Sequence, residues 1–134
     1  MPAMIFVNFA VESMAKARAF YEAMGFTANE QFCSDDTACM AWSEAIYLML
    51  LEKERFQSFT DKRIVDAERE VEVLNALSVD SREAVDAMLA KALAAGGREL
   101  REAQDYGFMY SRGFSDPDHH SWDIVWMNPA HLEQ

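Results

Sequence analysis

Cysteine is scarce. The chain has only two, Cys33 and Cys39, and neither sits in a Cys-x-x-Cys or Cys/His ligand spacing. That excludes a disulfide framework and a structural zinc module, and it suits a reducing, cytoplasmic setting. Basic residues are few as well: 12 Lys and Arg face 23 Asp and Glu, for a formal net charge of −11, and the basic residues do not cluster along the chain. Such a surface repels phosphate backbones and anionic lipid, so neither nucleic acid nor a membrane is expected as a partner. Long apolar runs are missing too. The longest, Ala45 to Leu51, is far too short to cross a bilayer, and the run from Met4 to Val11 is broken by Asn8. With no basic leader before it, no secretory signal is expected. No Ser-His-Asp, Cys-His or glycine-rich phosphate arrangement occurs.

What is present is enough for a core. The 134 residues are 51% apolar, which suits a single domain spanning 1–134 that needs no covalent staples. The hydrophobic period alternates between strand-like and helix-like, and it does so twice. Ile5 to Val11 reads as a buried strand. A helix over Ser13 to Met24 follows, with Met14, Ala17, Tyr21 and Met24 on one stripe and Gly25 as a left-handed stop. Three strands are expected next, over Thr27 to Cys33, Ala38 to Trp42 and Ala45 to Leu51. Residues 52–70 are mostly charged and read as a surface connection with one helical turn.

Val71 to Val79 then repeats the opening strand. Asp80 and Glu83 resemble a capping box before a helix carrying Val85, Met88, Leu89, Ala92 and Leu93, which Gly96-Gly97 ends. A weak strand over Glu99 to Ala103, a turn at Tyr106-Gly107, a strand over Phe108 to Phe114, a turn at Ser115 to His120 and a strand over Ser121 to Met127 complete the chain. The junction Phe9-Ala10-Val11-Glu12-Ser13 recurs as Leu77-Ser78-Val79-Asp80-Ser81. The expected fold is therefore α+β, two β-α-β-β-β modules forming an open, cleft-enclosing mixed sheet with the helices outside. Module one covers about 1–51, the connection 52–70 and module two 71–128. A ferredoxin-like sandwich is the competing description, with fewer strands after each helix.

Three features, in this order and spacing, carry a resemblance over nearly the whole chain. They are Phe20-Tyr21 before Gly25-Phe26, Leu77-Ser78-Val79-Asp80, and Phe114-Ser115-Asp116-Pro117-Asp118 before the final strand. With them the sequence resembles the vicinal-oxygen-chelate superfamily, the glyoxalase, bleomycin-resistance and extradiol-dioxygenase group. The resemblance implies a divalent metal held by residues from the first and last strands of each module, chelating two neighbouring substrate oxygens and stabilising the charge that develops on them. It also implies a homodimer. The four positions correspond to Phe6, Met49, Leu74 and Asp123. Of these only Asp123 suits a hard divalent cation, since oxygen or imidazole donors at about 2.0–2.2 Å are needed and a thioether favours soft copper. A register slip must come in twos to keep the same face inward, and it brings in Asn8 or Tyr47, which are no better. No cofactor is expected, a divalent metal being the alternative.

The candidate ligand cleft comprises Phe6, Asn8, Tyr47, Met49, Leu74, Tyr110 and Asp123. Asn8 shares a strand face with Phe6 and can orient a carbonyl, or it can bond a neighbouring strand. Tyr47 and Met49 alternate on one face of their strand, suited to an apolar guest or to plain packing. Asp123, between Trp122 and Ile124, is the candidate catalytic residue if burial raises its pKa and Tyr110 supplies a hydroxyl; a hydrogen-bonded structural carboxylate is the other reading. His119 and His120 beside Asp116 and Asp118 read as a turn. Three functions stay open: a metal-independent cleft for a small, partly apolar molecule, a metal-dependent lyase, isomerase or dioxygenase drawing ligands from His119, His120 and Asp123, and an interaction protein whose cleft is packed shut.

Overall fold

The structure, a computed structural model, describes residues 3–132. The chain divides into two compact units, with the boundary between Asp66 and Ala67, inside the charged connection. Both are α+β, and each builds a four-stranded mixed sheet with a helix packed on one face.

In the first unit, β1 (Ile5–Val11) leads into α1 (Met14–Met24), followed by β2 (Thr27–Ala28), β3 (Thr37–Ala41) and β4 (Ile46–Glu52). The order across the sheet is β1-β4-β3-β2, with β1 and β4 parallel and the other pairs antiparallel. Helix α1 starts where the Ser13 hydroxyl accepts the Lys16 N–H at 3.3 Å and the Glu52 carboxylate accepts the Met14 N–H at 2.9 Å. These acceptors satisfy donors that the first turn leaves open. It ends at Gly25, whose φ of 110° lies in the left-handed region that only glycine adopts freely. The stripe Met14, Ala17, Phe20, Tyr21 and Met24 is buried against strand residues Phe9, Val11, Ala38, Met40, Leu48 and Leu50. Tyr21 is the hub, with edge-on contacts to Phe20 at 5.1 Å and Phe26 at 5.3 Å between ring centroids. Each such pair adds about 0.5–1.5 kcal/mol to the burial itself. After β4 the connection holds one short helix, α2 (Lys53–Gln57), packed against β1 and β4.

The second unit repeats the plan. Strand β5 (Asn75–Ser78) leads to α3 (Arg82–Ala94), then β6 (Arg98–Asp105), β7 (Met109–Ser115) and β8 (Ser121–Met127), with α4 (Pro129–Leu132) at the end. The order is β5-β8-β7-β6, again with the first strand parallel to the last. Val85, Met88, Leu89 and Ala92 bury one face of α3 with Leu77, Phe114, Trp122 and Ile124. Among the described residues no helix is long and apolar enough to cross a membrane.

Four details depart from the sequence reading. The strand expected over Thr27 to Cys33 stops at Ala28. Glu30–Phe32 forms a 3-10 turn instead, closed by Phe32 N–H to Asn29 and Cys33 N–H to Glu30, because Asn29-Glu30-Gln31 offers the sheet no apolar face. The strand expected over Val71 to Val79 is only Asn75–Ser78, the four residues in register with β8, and the ladder closes with the Val79 N–H bonded to the Val125 carbonyl at 2.9 Å. The cap of α3 is Ser81, whose hydroxyl accepts the Ala84 N–H at 3.0 Å; Asp80 lies one residue too early. Leu93 is exposed, one position past the buried stripe.

Candidate functional site

Each sheet has one face under its helix and one face turned the other way. On the first sheet the side opposite α1 carries Phe6, Asn8 and Ala10 from β1, Tyr47, Met49 and Leu51 from β4, and Cys39 from β3, because side chains alternate along a strand. Register places Phe6 beside Tyr47 and Asn8 beside Met49. The Phe6 and Tyr47 rings stack with centroids 4.9 Å apart and planes 16° from parallel. Phe6 remains 46% exposed, whereas Leu51 and Cys39 are buried. Burial pushes the Cys39 thiol upward, with a smaller contribution from Cys33, so it stays a protonated, inert lining group. Asn8 turns its amide back to the Phe6 carbonyl at 3.4 Å, and the Tyr47 hydroxyl donates to the Glu44 carbonyl at 3.2 Å.

Leu74 does not join a strand face. It precedes β5 and is 67% exposed, because the sheet gives it no partner strand.

On the second sheet, Asp123 lies opposite Gly113 of β7 and Ala76 of β5, on the side away from α3, while its neighbours Trp122 and Ile124 are buried beneath that helix. Its partner is Arg101 of β6, with Nη2 2.7 Å from Oδ1. The expected partnership with Tyr110 is wrong. Tyr110 pairs in register with Trp126 and sits on the α3 side, where its hydroxyl donates to Asp86 at 2.7 Å. Parity along β7 and β8 puts Tyr110 and Asp123 on opposite faces. Asp86 also accepts from Arg112 at 2.9 Å, and Arg112 reaches Glu99 at 2.9 Å. The Tyr110 hydrogen bond, then that of Arg112, holds the Asp86 carboxyl below its ordinary range, and the same bond raises the tyrosine. Further along, Arg82 pairs with Asp105 at 2.7 and 2.9 Å and lies over the rings of Tyr110 and Trp126. That guanidinium, with the Gly107 N–H, brings Asp105 down to about 2.

The turn between β7 and β8 is built on Asp116. Its Oδ1 accepts the Asp118 and His120 N–H groups at 2.9 Å each, and its Oδ2 meets His120 Nδ1 at 2.8 Å. His119 sits at φ 71°, a left-handed position. Nε2 of His119 is 3.9 Å from Glu68.

A resident divalent metal does not fit these residues. Phe6 and Leu74 carry no donor, Met49 offers only a thioether, and the Asp123 carboxylate is already matched by a guanidinium. Among the described residues no three His, Cys, Asp or Glu side chains come together to hold an ion, so His119, His120 and Asp123 do not form such a group.

The family model described as Glyoxalase/Bleomycin resistance protein/Dioxygenase superfamily matches residues 4–124. The chain belongs to this superfamily. Solved structures agree in fold. A hypothetical protein from S. aureus is 25% identical with a TM-score of 0.79, covering 94% of both chains. A glyoxalase/bleomycin resistance protein/dioxygenase family enzyme from Burkholderia phytofirmans is 20% identical with a TM-score of 0.77, covering 94% of this chain and 99% of its own. A glyoxalase-related enzyme from Fulvimarina pelagi, 19% identical with a TM-score of 0.79, covers 94% and 88% respectively. No curated protein is significantly similar to the chain. Within this superfamily chain, sequence reasoning missed Arg101 altogether. The signal for it was Gly113, a lone glycine inside a strand, which marks close approach by another group.

Proposed function

We propose that this superfamily member binds a small, partly apolar molecule without a metal, on the face of the first sheet opposite α1. The observation that carries the reading is the stacked Phe6–Tyr47 pair, which leaves a large aromatic surface open where core packing would have covered it. A half-exposed ring of this kind gains from stacking with a planar guest. Met49, unbranched and polarizable, adjusts to the guest's outline. Asn8 supplies a neutral polar handle beside the rings, its amide engaged among the described residues by a 3.4 Å bond within its own strand. The Cys39 thiol on this face is held protonated by its burial, which keeps it from acting as a nucleophile. Sequestration of the guest is the activity this chemistry supports. The protein acts as a homodimer in this reading, which sedimentation equilibrium checks directly.

The test is a fluorescence titration with N-phenyl-1-naphthylamine, a neutral dye that brightens in apolar surroundings. Wild-type protein should give a saturable rise, and Phe6→Ser should weaken it by about tenfold, the loss of one stacking surface. A wild-type protein that gives no saturable signal, or a Phe6→Ser variant that binds as well as wild type, would remove the proposal.

A further inference from the structure

The second sheet has a polar face that the reading above does not use. In a regular strand, residues three apart point to opposite sides. Along β6 that rule is broken twice. Arg98 pairs with Ser115, Arg101 with Gly113 and Gln104 with Ser111, with register shifts between Glu99 and Arg101 and between Arg101 and Gln104. Since Ser111, Gly113 and Ser115 share the side away from α3, the two irregularities bring Arg98, Arg101 and Gln104 onto that one side. Glu99 and Asp105 stay on the other, where they bond Arg112 and Arg82. Bulges of this sort re-aim side chains and concentrate near working sites.

The partner strand is shaped to receive them. A Cβ added to Gly113 would run into the Arg101 guanidinium, coming within 3.2 Å of its Cζ and 3.0 Å of Asp123 Oδ1. Glycine therefore leaves room for the guanidinium to lie over the strand. Asp123 anchors that guanidinium through Nη2 at 2.7 Å, yet the Arg101 side chain is still 33% exposed, so the rest of its planar N–H fork is open to a ligand. Of the register-paired residues on this face, two carry positive charge and Asp123 alone carries negative charge.

We infer that this face binds a small organic carboxylate, with Arg101 as its principal contact, Arg98 as a second cation and Gln104 as a neutral donor. The planar fork of a guanidinium matches a carboxylate through two parallel N–H donors. Asp123 is a positioning residue that fixes Arg101 from one side.

The full-length chain, labelled with nitrogen-15, is titrated with benzoate and with its neutral isostere benzamide while the backbone amides of Arg98, Arg101 and Gly113 are followed by NMR. Benzoate should give saturable shifts centred on β6 and β7, and benzamide should not. Arg101→Met should weaken benzoate by about tenfold, the scale of one charge-assisted hydrogen bond, and Arg98→Gln by less. Gly113→Ala displaces the guanidinium without touching a charge, so it should keep the native spectrum and weaken benzoate comparably. Equal shifts from benzoate and benzamide, or wild-type affinity in natively folded Arg101→Met, would overturn the inference. Should Arg101→Met not fold, Gly113→Ala and Arg98→Gln decide by the same criterion. The readout comes from second-sheet amides, so a negative result here leaves the aromatic face of the first sheet as it was.

Discussion

Replacing Asp116 by alanine removes the acceptor on which the β7–β8 turn is built. Its side chain is 1% exposed and holds two backbone N–H groups through Oδ1 and the His120 ring through Oδ2. A buried donor left without a partner costs about 1–3 kcal/mol, and a turn at the surface admits water, so the lower end applies to each of the three. Their sum is about 3 kcal/mol. Release of His119 from its left-handed conformation, itself a cost of order 1 kcal/mol, offsets part of that. The expected loss is about 2–3 kcal/mol, a fall in Tm of roughly 8–12 °C for a chain of this size. Asp116→Asn keeps an oxygen at the Oδ1 position and should cost about 1 kcal/mol. Urea unfolding followed by tryptophan fluorescence and far-ultraviolet circular dichroism measures both. An alanine variant that loses less than about 1 kcal/mol, or an asparagine variant as unstable as the alanine one, would refute the reasoning.

Other outcomes follow from the same structure. Ser81→Ala should cost about 1 kcal/mol by chemical denaturation, whereas Asp80→Ala should stay within about 0.5 kcal/mol, because only Ser81 caps α3. Leu74→Phe should leave stability unchanged within about 0.5 kcal/mol in a thermal melt, since an exposed residue outside the strand has nothing to overpack. Asp105, lowered to about 2 by Arg82, has a folded pKa below its unfolded value. Its contribution is therefore complete above the ordinary carboxylate range and disappears as pH falls from about 4 toward 2. Melting wild type and Asp105→Asn across that range should show the gap between them closing on acidification.

Much of the fold was legible because its signals are local and strong. The strands Ile5–Val11 and Ser121–Met127, the glycine stop at Gly25 and the repeat that aligns Ser13 with Ser81 all correspond to observed elements and caps, but Ile5 and Phe6 are exposed where a buried strand was expected. Two failures were local, the 3-10 turn at Glu30–Phe32 and the cap at Ser81; in the others the deciding contact was distant in sequence. The length of β5 depends on how far β8 accompanies it, and Val71, Val73 and Leu74 carry strand-forming side chains that no partner strand reaches. The site was less legible for a related reason. Tyr110 and Asp123 were joined because each looked polar on an apolar strand, but parity across an antiparallel pair separates them. Arg101 was invisible because two register shifts in β6 erase the alternation that identifies which residues share a face.

The central claim is that binding on the Phe6–Tyr47 face needs no metal. Its most direct test is one titration with N-phenyl-1-naphthylamine run on protein stripped by a chelator and again after zinc, nickel or manganese is supplied, with elemental analysis of the purified chain alongside. The account predicts well under one divalent ion per chain, the same dye affinity in every sample and no change in Tm on stripping. One tightly held ion per chain, with dye binding or Tm lost when the chelator removes it, would contradict it.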